Sequence, residues 1–344
     1  MNTTSDHTVH LSIIVPAYNH CDVLARCLAA LRAQVSPSSE LIVVDDASTD
    51  ATQHVAAAGG AQVLRLGKNS GTGAARNLGA AQATGAVLLF VDADVLVAAG
   101  ALDRVTNAFA ANPALAALFG SYDDDPEAPS LVSRYRNLLH HFVHQAGEAE
   151  AVTFWAGLGA VRRAVFLAVG GFDAARFPRS SIEDIELGYR LRRAGHRIRL
   201  DKGLQGKHLK RWSFWSMLGT DVRRRALPWS RLILDTQHAP ADLNLRASQR
   251  LSGALSGAAL AAFAAAPWWP ALLGVSGITL AAVAVLNRRF YALLRRRGGW
   301  RLTGLGFMLH VLYFAYSSAS FAYAALERRM SFASGRRASR TGTP

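Results

Sequence analysis

Asp92 and Asp94 stand two positions apart, directly after the apolar run Val87-Leu-Leu-Phe-Val91. Two carboxylates at the end of a buried strand can set hard oxygens on a divalent cation. Taken alone, Asp-x-Asp is equally what a solvated turn looks like, so the surroundings decide. Leu41-Ile-Val-Val44 runs into Asp45-Asp46, and Leu11-Ser-Ile-Ile-Val-Pro16 runs into Ala17, Tyr18 and Asn19. Further along, Ser181-Ile-Glu-Asp184 reads as a capping box at the start of a helix. His140, His141 and His144 share a helical spacing that would suit a metal, but no acidic residue is spaced with them, and an interfacial polar face explains them equally well.

These residues need a scaffold, and the pattern supplies one. Leu11–Pro16 and Leu41–Val44 are almost wholly apolar, as strands buried on both faces are. Cys21–Arg32 follows the first strand with helical spacing, and a helix over about 50–58 follows the second, with Ser48 and Asp50 as candidate caps. Val63–Leu66 and Val87–Val91 are further strands, separated by a loop and helix over 71–84, and a helix over about 100–111 comes next. Alternation of this kind implies an α/β fold with a mostly parallel sheet, in which ligands gather at the carboxyl ends of strands. Pro16–Asn19, Asp45-Asp46 and Asp92–Asp94 all fall at such ends.

In order and spacing, Ser12-Ile-Ile-Val-Pro-Ala-Tyr-Asn19, Ile42-Val-Val-Asp-Asp-Ala-Ser-Thr-Asp50, Gly73-Ala-Ala-Arg-Asn-Leu-Gly79 and Phe90-Val-Asp-Ala-Asp94 resemble the family 2 glycosyltransferases of the GT-A fold, a Rossmann-like nucleotide-sugar-binding architecture. The likeness continues through Gly170-Gly-Phe-Asp173 and Glu183-Asp-Ile-Glu-Leu-Gly-Tyr-Arg190 and covers about residues 11–215. The resemblance implies roles. Pro16, Ala17 and Tyr18 would line the nucleotide pocket, and Asp46 would bond the base edge unless it caps the following helix. Arg76 would hold nucleotide or sugar, an ion pair to Asp45 or Asp46 being the competing reading. Asp94 would bind a divalent cation, Mn²⁺ or Mg²⁺, with Asp92 on the ribose or the cation. Asp184 matches the family's general base, which takes the acceptor's proton and leaves an inverted product; a base so placed needs its pKa held up by burial or neighbours. His208 sits where related enzymes place a histidine on the metal, and a structural role competes with that one. Trp155, Glu183, Arg211 and Trp212 are candidates for contact with the acceptor. Arg211-Trp212 matches the end of the Gln-x-x-Arg-Trp motif of processive synthases, but the glutamine position is unmatched, which argues against polymerisation.

Residues 1–180 carry 12 Lys and Arg against 16 Asp and Glu, whereas residues 181–344 carry 26 against 8. The basic clusters flank apolar stretches, so an anionic membrane is favoured over nucleic acid. Leu251–Leu286 contains no charge and is broken only by Pro267-Trp-Trp-Pro270. One span takes ~20 residues, so two helices turning at that motif are expected, with Trp268 and Trp269 at an interface. The basic stretch after it, Arg288 to Arg297, would lie along the cytosolic surface, and Leu302–Leu326 is a further candidate span. The domains expected are a disordered 1–10, a catalytic 11–245, a membrane-anchoring helical 246–330 with two or three spans, and a disordered basic tail, 331–344. Met1–His10 has neither a basic nor an apolar signal region, which leaves the catalytic domain cytoplasmic. Cys21 and Cys27 fall on different helix faces, so no disulfide joins them. The expected partners are a nucleotide-sugar donor, the membrane and a lipid or lipid-linked acceptor with a free hydroxyl. The rivals are a polyprenyl-phosphate sugar synthase and a noncatalytic nucleotide-sugar-binding protein.

Overall fold

The computed structural model describes residues 9–237 and 243–340, with side chains through Ser331. The expected disordered N-terminus lies outside the described residues up to position 8. Two compact units result, Met1–Arg211 and Trp212–Pro344.

The first unit is built on a nine-stranded sheet: β1 (Leu11–Ala17), β2 (Glu40–Asp45), β3 (Gln62–Arg65), β4 (Val87–Val91), β5 (Val95–Val97), β6 (Leu115–Tyr122), β7 (Glu150–Ala151), β8 (Leu158–Arg162) and β9 (Arg197–His208), ordered β3-β2-β1-β4-β8-β6-β9-β5, with β7 on β9. The first four strands are parallel, as the alternating pattern requires. Beyond β4 the sheet is mixed. β8 runs antiparallel between β4 and β6, β9 is parallel to β6, and β5 pairs antiparallel with β9. Seven helices pack on this sheet: α1 (Cys21–Arg32), α2 (Thr52–Ala58), α3 (Thr72–Gln82), α4 (Ala101–Ala111), α5 (Leu131–Ala146), α6 (Arg163–Ala168) and α7 (Glu183–Arg193).

β1 is buried along its whole length because helices cover both of its faces. Ile13 and Val15 join the core that holds Leu24, Leu28 and Leu31 of α1. On the opposite face α3 comes so close that a Cβ on Gly79 would lie 2.6 Å from Ile14. Filling such positions with apolar side chains stabilises the sheet by roughly 1.5–3 kcal/mol per residue. A change such as Leu28→Ala removes that and leaves a hole, costing about 2–5 kcal/mol.

The second unit is helical: α8 (Phe214–Thr220), a π-helical turn (Asp221–Ala226), α9 (Leu227–Thr236), a 3₁₀ turn (Leu243–Leu245), α10 (Ala247–Ala265), α11 (Leu272–Leu286) and α12 (Arg288–Arg340). α10 and α11 form the expected hairpin, with Trp268 and Trp269 exposed in its turn. α12 is not straight. Gly298 and Gly299 leave helical geometry, Gly299 at φ 65°. In an unbroken helix residues 290 and 310 would be about 30 Å apart, yet the Phe290 and His310 rings lie 5.0 Å apart and Tyr291 Oη is 3.0 Å from His310 Nδ1. The glycine pair therefore folds a short leg back against a long one. By length and composition Arg288–Ser331 is the one helix among the described residues apolar enough to cross a membrane. The backbone stays helical to Arg340, through most of the stretch expected to be a disordered tail; residues 341–344 lie outside the described residues.

Candidate active site

The strand ends hold the expected groups. β1 ends at Pro16 and Ala17, both buried, and Tyr18 turns outward, 41% exposed. The loop that follows is laced to the end of β2. Asn19 N–H donates to Ser48 Oγ (2.9 Å), Thr49 N–H donates to Asn19 Oδ1 (2.8 Å), and Asp46 N–H donates to the Ala17 carbonyl (2.8 Å). Asn19 and Ala47 take the left-handed conformation at φ 53° and 61°, strain that this lacing sustains. Asp45 is sealed beneath, accepting from Ser48 N–H and paired with Arg65 at 3.0 Å.

Asp46 does not cap the following helix. Its two oxygens accept the N–H groups of Ser70 (2.7 Å) and Gly71 (2.8 Å), which fixes the loop entering α3. Only glycine fits at position 71: φ is 88°, and a Cβ would lie 2.7 Å from the Pro178 carbonyl oxygen. Asp50 accepts the N–H of Thr52, the first residue of α2, at 2.9 Å.

β4 delivers Asp92 and Asp94. A tight turn, Val95 N–H to the Asp92 carbonyl at 3.0 Å, sends the chain into β5, whose register sets Val95 opposite His208. That register brings the His208 imidazole to Asp94: Nε2 lies 3.5 Å from Oδ2, and both side chains are largely buried. Tyr122 lies flat on His208, with centroids 4.1 Å apart and planes 8° apart, and Trp155 meets Tyr122 edge-on at 4.9 Å. Burial raises Asp92 above the usual carboxylate range, and the charge of Asp94 adds to this against Arg76. Burial works on Asp94 too, but His208 outweighs it and holds that carboxyl below the usual range.

Arg76 is the hub. It is 4% exposed. It donates to Asp92 Oδ1 at 2.7 Å and to Glu183 Oε1 at 3.1 Å, not to Asp45 or Asp46. Glu183, expected near the acceptor, is instead an internal tether: buried, it also accepts from Thr72 Oγ1 (2.7 Å) and Ser181 N–H (2.7 Å). α7 begins one residue later than the capping-box pattern places it, with Ile182 at the N-cap and no side-chain cap. Asp184 accepts from Ala156 N–H (3.1 Å) and Ile185 N–H (2.8 Å). Burial, seconded by Glu183, lifts its carboxyl to about 7 against the pull of Arg76.

Residues 12–170 match the family model of glycosyl transferase family 2. The chain carries a family 2 glycosyltransferase domain. Over 91 residues the chain is 37% identical to the glycosyltransferase AglE of Haloferax volcanii, covering 24% of this chain and 30% of that protein. It is 30% identical over 231 residues to the validoxylamine A glucosyltransferase of Streptomyces hygroscopicus subsp. jinggangensis, covering 57% and 54%. The chain thus spans about a third to a half of the length of these curated relatives. Among solved structures, a mannosyltransferase from Pyrobaculum calidifontis in complex with GDP-Man and Mn²⁺ superposes with a TM-score of 0.60 at 18% identity, over 92% of this chain and 88% of that one. The glycosyltransferase fold is GT-A-like.

Within this domain the ordered motifs lock onto one another. Asn77 exchanges two hydrogen bonds with the backbone of Phe172 (2.8 and 2.9 Å), and Arg190, gripped by Glu186 at 2.7 Å, donates to the Gly171 carbonyl at 2.6 Å. His140, half-buried, and His144, buried, set their rings 4.0 Å apart at a 37° tilt beside Trp155, an aromatic cluster with no acidic residue in it. Burial pulls His144 down to about 4 and His140 well below its ordinary value. The His144 ring bonds the Gly120 carbonyl through Nδ1 (2.8 Å), and since a carbonyl only accepts, Nδ1 carries the proton. Among the described residues no group of three or more His, Cys, Asp and Glu could enclose a metal ion. Asp94 and His208 nevertheless pair an oxygen with a nitrogen donor, a set that fits a divalent cation completing its shell with oxygens of a bound ligand. Arg211 is exposed at the end of the first unit, and Trp212 opens the second, buried. Cys21 and Cys27 are both free. Two features escaped the sequence reading. Tyr122 belongs to no motif, and its place under His208 depends on the pairing of β6 with β9. Glu183 bonding to Thr72 and Arg76 depends on α7 meeting α3.

Proposed function

We propose that the chain transfers a sugar from a nucleotide-diphosphate donor, a uridine nucleotide in the first instance, to a hydroxyl of a lipid or lipid-linked saccharide, with inversion at the anomeric carbon, in the synthesis of cell-envelope glycans or glycolipids. The observation that carries the reading is Asp184, its carboxyl lifted to about 7 and next in the chain to Glu183, which Arg76 bridges to the Asp92 carboxylate. A base of that strength is suited to taking a proton from a hydroxyl at neutral pH. Pro16, Ala17, Tyr18 and Asp46 would face the nucleotide, and Trp155 would wall the acceptor side. Asp94 and His208 would hold Mn²⁺ or Mg²⁺, which when bound supplies positive charge to the diphosphate leaving group. The Pyrobaculum protein, bound to GDP-Man and Mn²⁺, is consistent with a cation-assisted donor site on this fold. The second unit would anchor the enzyme to the membrane, with the catalytic domain in the cytoplasm.

The test is a panel of nucleotide sugars with the purified full chain, Mn²⁺ or Mg²⁺, and a native lipid extract, scored by nucleoside diphosphate release. Release from one donor that needs the lipid and falls at least a hundredfold in Asp94→Ala supports the reading. A polyprenyl phosphate acceptor is already ionised and needs no base, so near-normal turnover in Asp184→Asn would move the assignment to a polyprenyl-phosphate sugar synthase. Donor binding without release under any acceptor would leave a noncatalytic binding protein.

A further inference from the structure

Taken across its kink, α12 is long and apolar enough for a membrane span, but the partners of its long leg place that leg elsewhere. Tyr316 Oη donates to Asp221 Oδ2 at 2.7 Å. About three turns on, Glu327 is bound by Arg231 through two bonds of 2.8 Å, and Arg328 donates to the Leu234 carbonyl. Residues 316–328 therefore run side by side with 221–234. That neighbouring helix carries Asp221, Arg223, Arg224, Arg225 and Arg231. Were the long leg in hydrocarbon, these charges would enter it too, at roughly 2.5–3.5 kcal/mol each at the bilayer centre. The same leg crosses the open end of the α10–α11 hairpin. Val311 and Phe314 cluster with Val283 and Leu255, and a Cβ on Gly253 would lie 2.9 Å from Ser318 Oγ.

The hairpin has the opposite character. At its open end Gln249 bonds Asn287 (3.1 Å) and Asn287 bonds Ser252 (2.9 Å), so Arg246, Arg250, Arg288 and Arg289 sit together at one level. No charge follows until the two tryptophans at the tip. Each arm is uncharged for roughly 27 Å, close to the ~30 Å of a hydrocarbon core. Phe263, Ile278 and Trp268 are 63%, 73% and 73% exposed, bare apolar surface along the arms and tip.

We propose that this chain inserts the α10–α11 hairpin into an anionic bilayer, with the four arginines on lipid phosphates, while the long leg of α12 lies across the hairpin's base at the surface and does not cross. The number of crossings is then even, and the chain after α12 returns to the side on which α10 begins. This rests on the membrane location proposed above and not on sugar transfer.

The experiment compares the full chain with two double variants in membrane pellets washed with alkaline carbonate. Phe263→Arg with Ile278→Arg should reduce the washed pellet at least tenfold. Phe321→Arg with Tyr323→Arg, on the exposed face of α12, should leave it unchanged. Tags at the two termini of the unaltered chain, which involve no folding risk, should be cut by protease from the same side of the membrane. Tags on opposite sides, or release by the α12 variant, would overturn the proposal, as would retention of the hairpin variant. An unaltered chain that stays in the soluble fraction would sink the membrane reading itself, while donor hydrolysis, measured separately, reports on the catalytic reading.

Discussion

A carboxyl that removes a hydroxyl proton works best when its own pKa lies near the working pH. The ordinary aspartate range is far too low. Asp184 reaches about 7 because partial burial disfavours its charged form and Glu183 stands beside it, with Arg76 limiting the rise. The transfer rate should therefore climb with pH around a midpoint near 7 and fall about thirtyfold by pH 5.5, as the ionised fraction falls below its plateau. Stability should move the other way. A carboxyl whose folded pKa is raised binds its proton more tightly when folded, so stability declines as pH rises from the unfolded value near 4 through 7. Asp184→Asn removes that penalty. We expect it to melt higher than the parent at pH 8 while turnover drops by about 10²–10⁴, a pairing that calorimetry and initial rates check together. At this scale the sequence supplied residue types but not partners. Asp92 and Asp94 were legible from the strand before them. Arg76 bonds both Glu183 and Asp92, and no local spacing encodes this, because the meeting of Arg76 and Glu183 depends on how α3 and α7 approach.

What the elements contribute is approach distance. Asp184 reaches the Ala156 N–H only because α7 lies almost on the backbone of residues 153 and 154. A Cβ on Gly188 would stand 2.5 Å from Phe154 N and 2.7 Å from the Thr153 carbonyl carbon, neither of which is a flexible tip that can yield. Gly188→Ala should push the helix outward at a cost of about 1–3 kcal/mol. It should also lower turnover more than donor affinity, since the proposed base moves while the strand ends proposed to face the nucleotide do not. Thermal melting with separate kcat and donor KM values checks this, and a loss confined to donor KM would refute it. The parallel strands β1 to β4 could be read from apolar runs alternating with helices. β6 to β9 could not: β7 is two residues long, β9 is interrupted by charge, and the apolar runs of β6 and β8 carry no sign of direction or neighbour, their order in the sheet departing from their order in the chain. His208 meets Asp94 through that rearranged half, so their adjacency is a property of register that no local spacing encodes.

Across the whole molecule, charge is divided unequally. Residues 212–344 carry 17 Lys and Arg against four Asp and Glu, nearly all of the chain's net +14. This asymmetry and the uncharged stretch were both legible from composition, whereas the fold-back of α12 required the ring contacts across Gly298 and Gly299 to reveal it. Each Lys or Arg near an anionic surface is worth about 1 kcal/mol, and the attraction decays within a Debye length, roughly 10 Å at 0.1 M salt. Apolar insertion has no such dependence. The two contributions should therefore separate in time. Arrival at vesicles containing about a third anionic lipid should slow steeply between 0.05 and 0.5 M salt, roughly tenfold or more, while chain already inserted should resist the same salt wash. Replacing Arg246, Arg250, Arg288 and Arg289 by glutamine should flatten the salt dependence of arrival and leave the resistance of inserted chain intact, as followed by stopped-flow tryptophan fluorescence and flotation. If salt strips inserted wild-type chain, the basic surface alone holds it, and the apolar hairpin must be buried against something other than lipid.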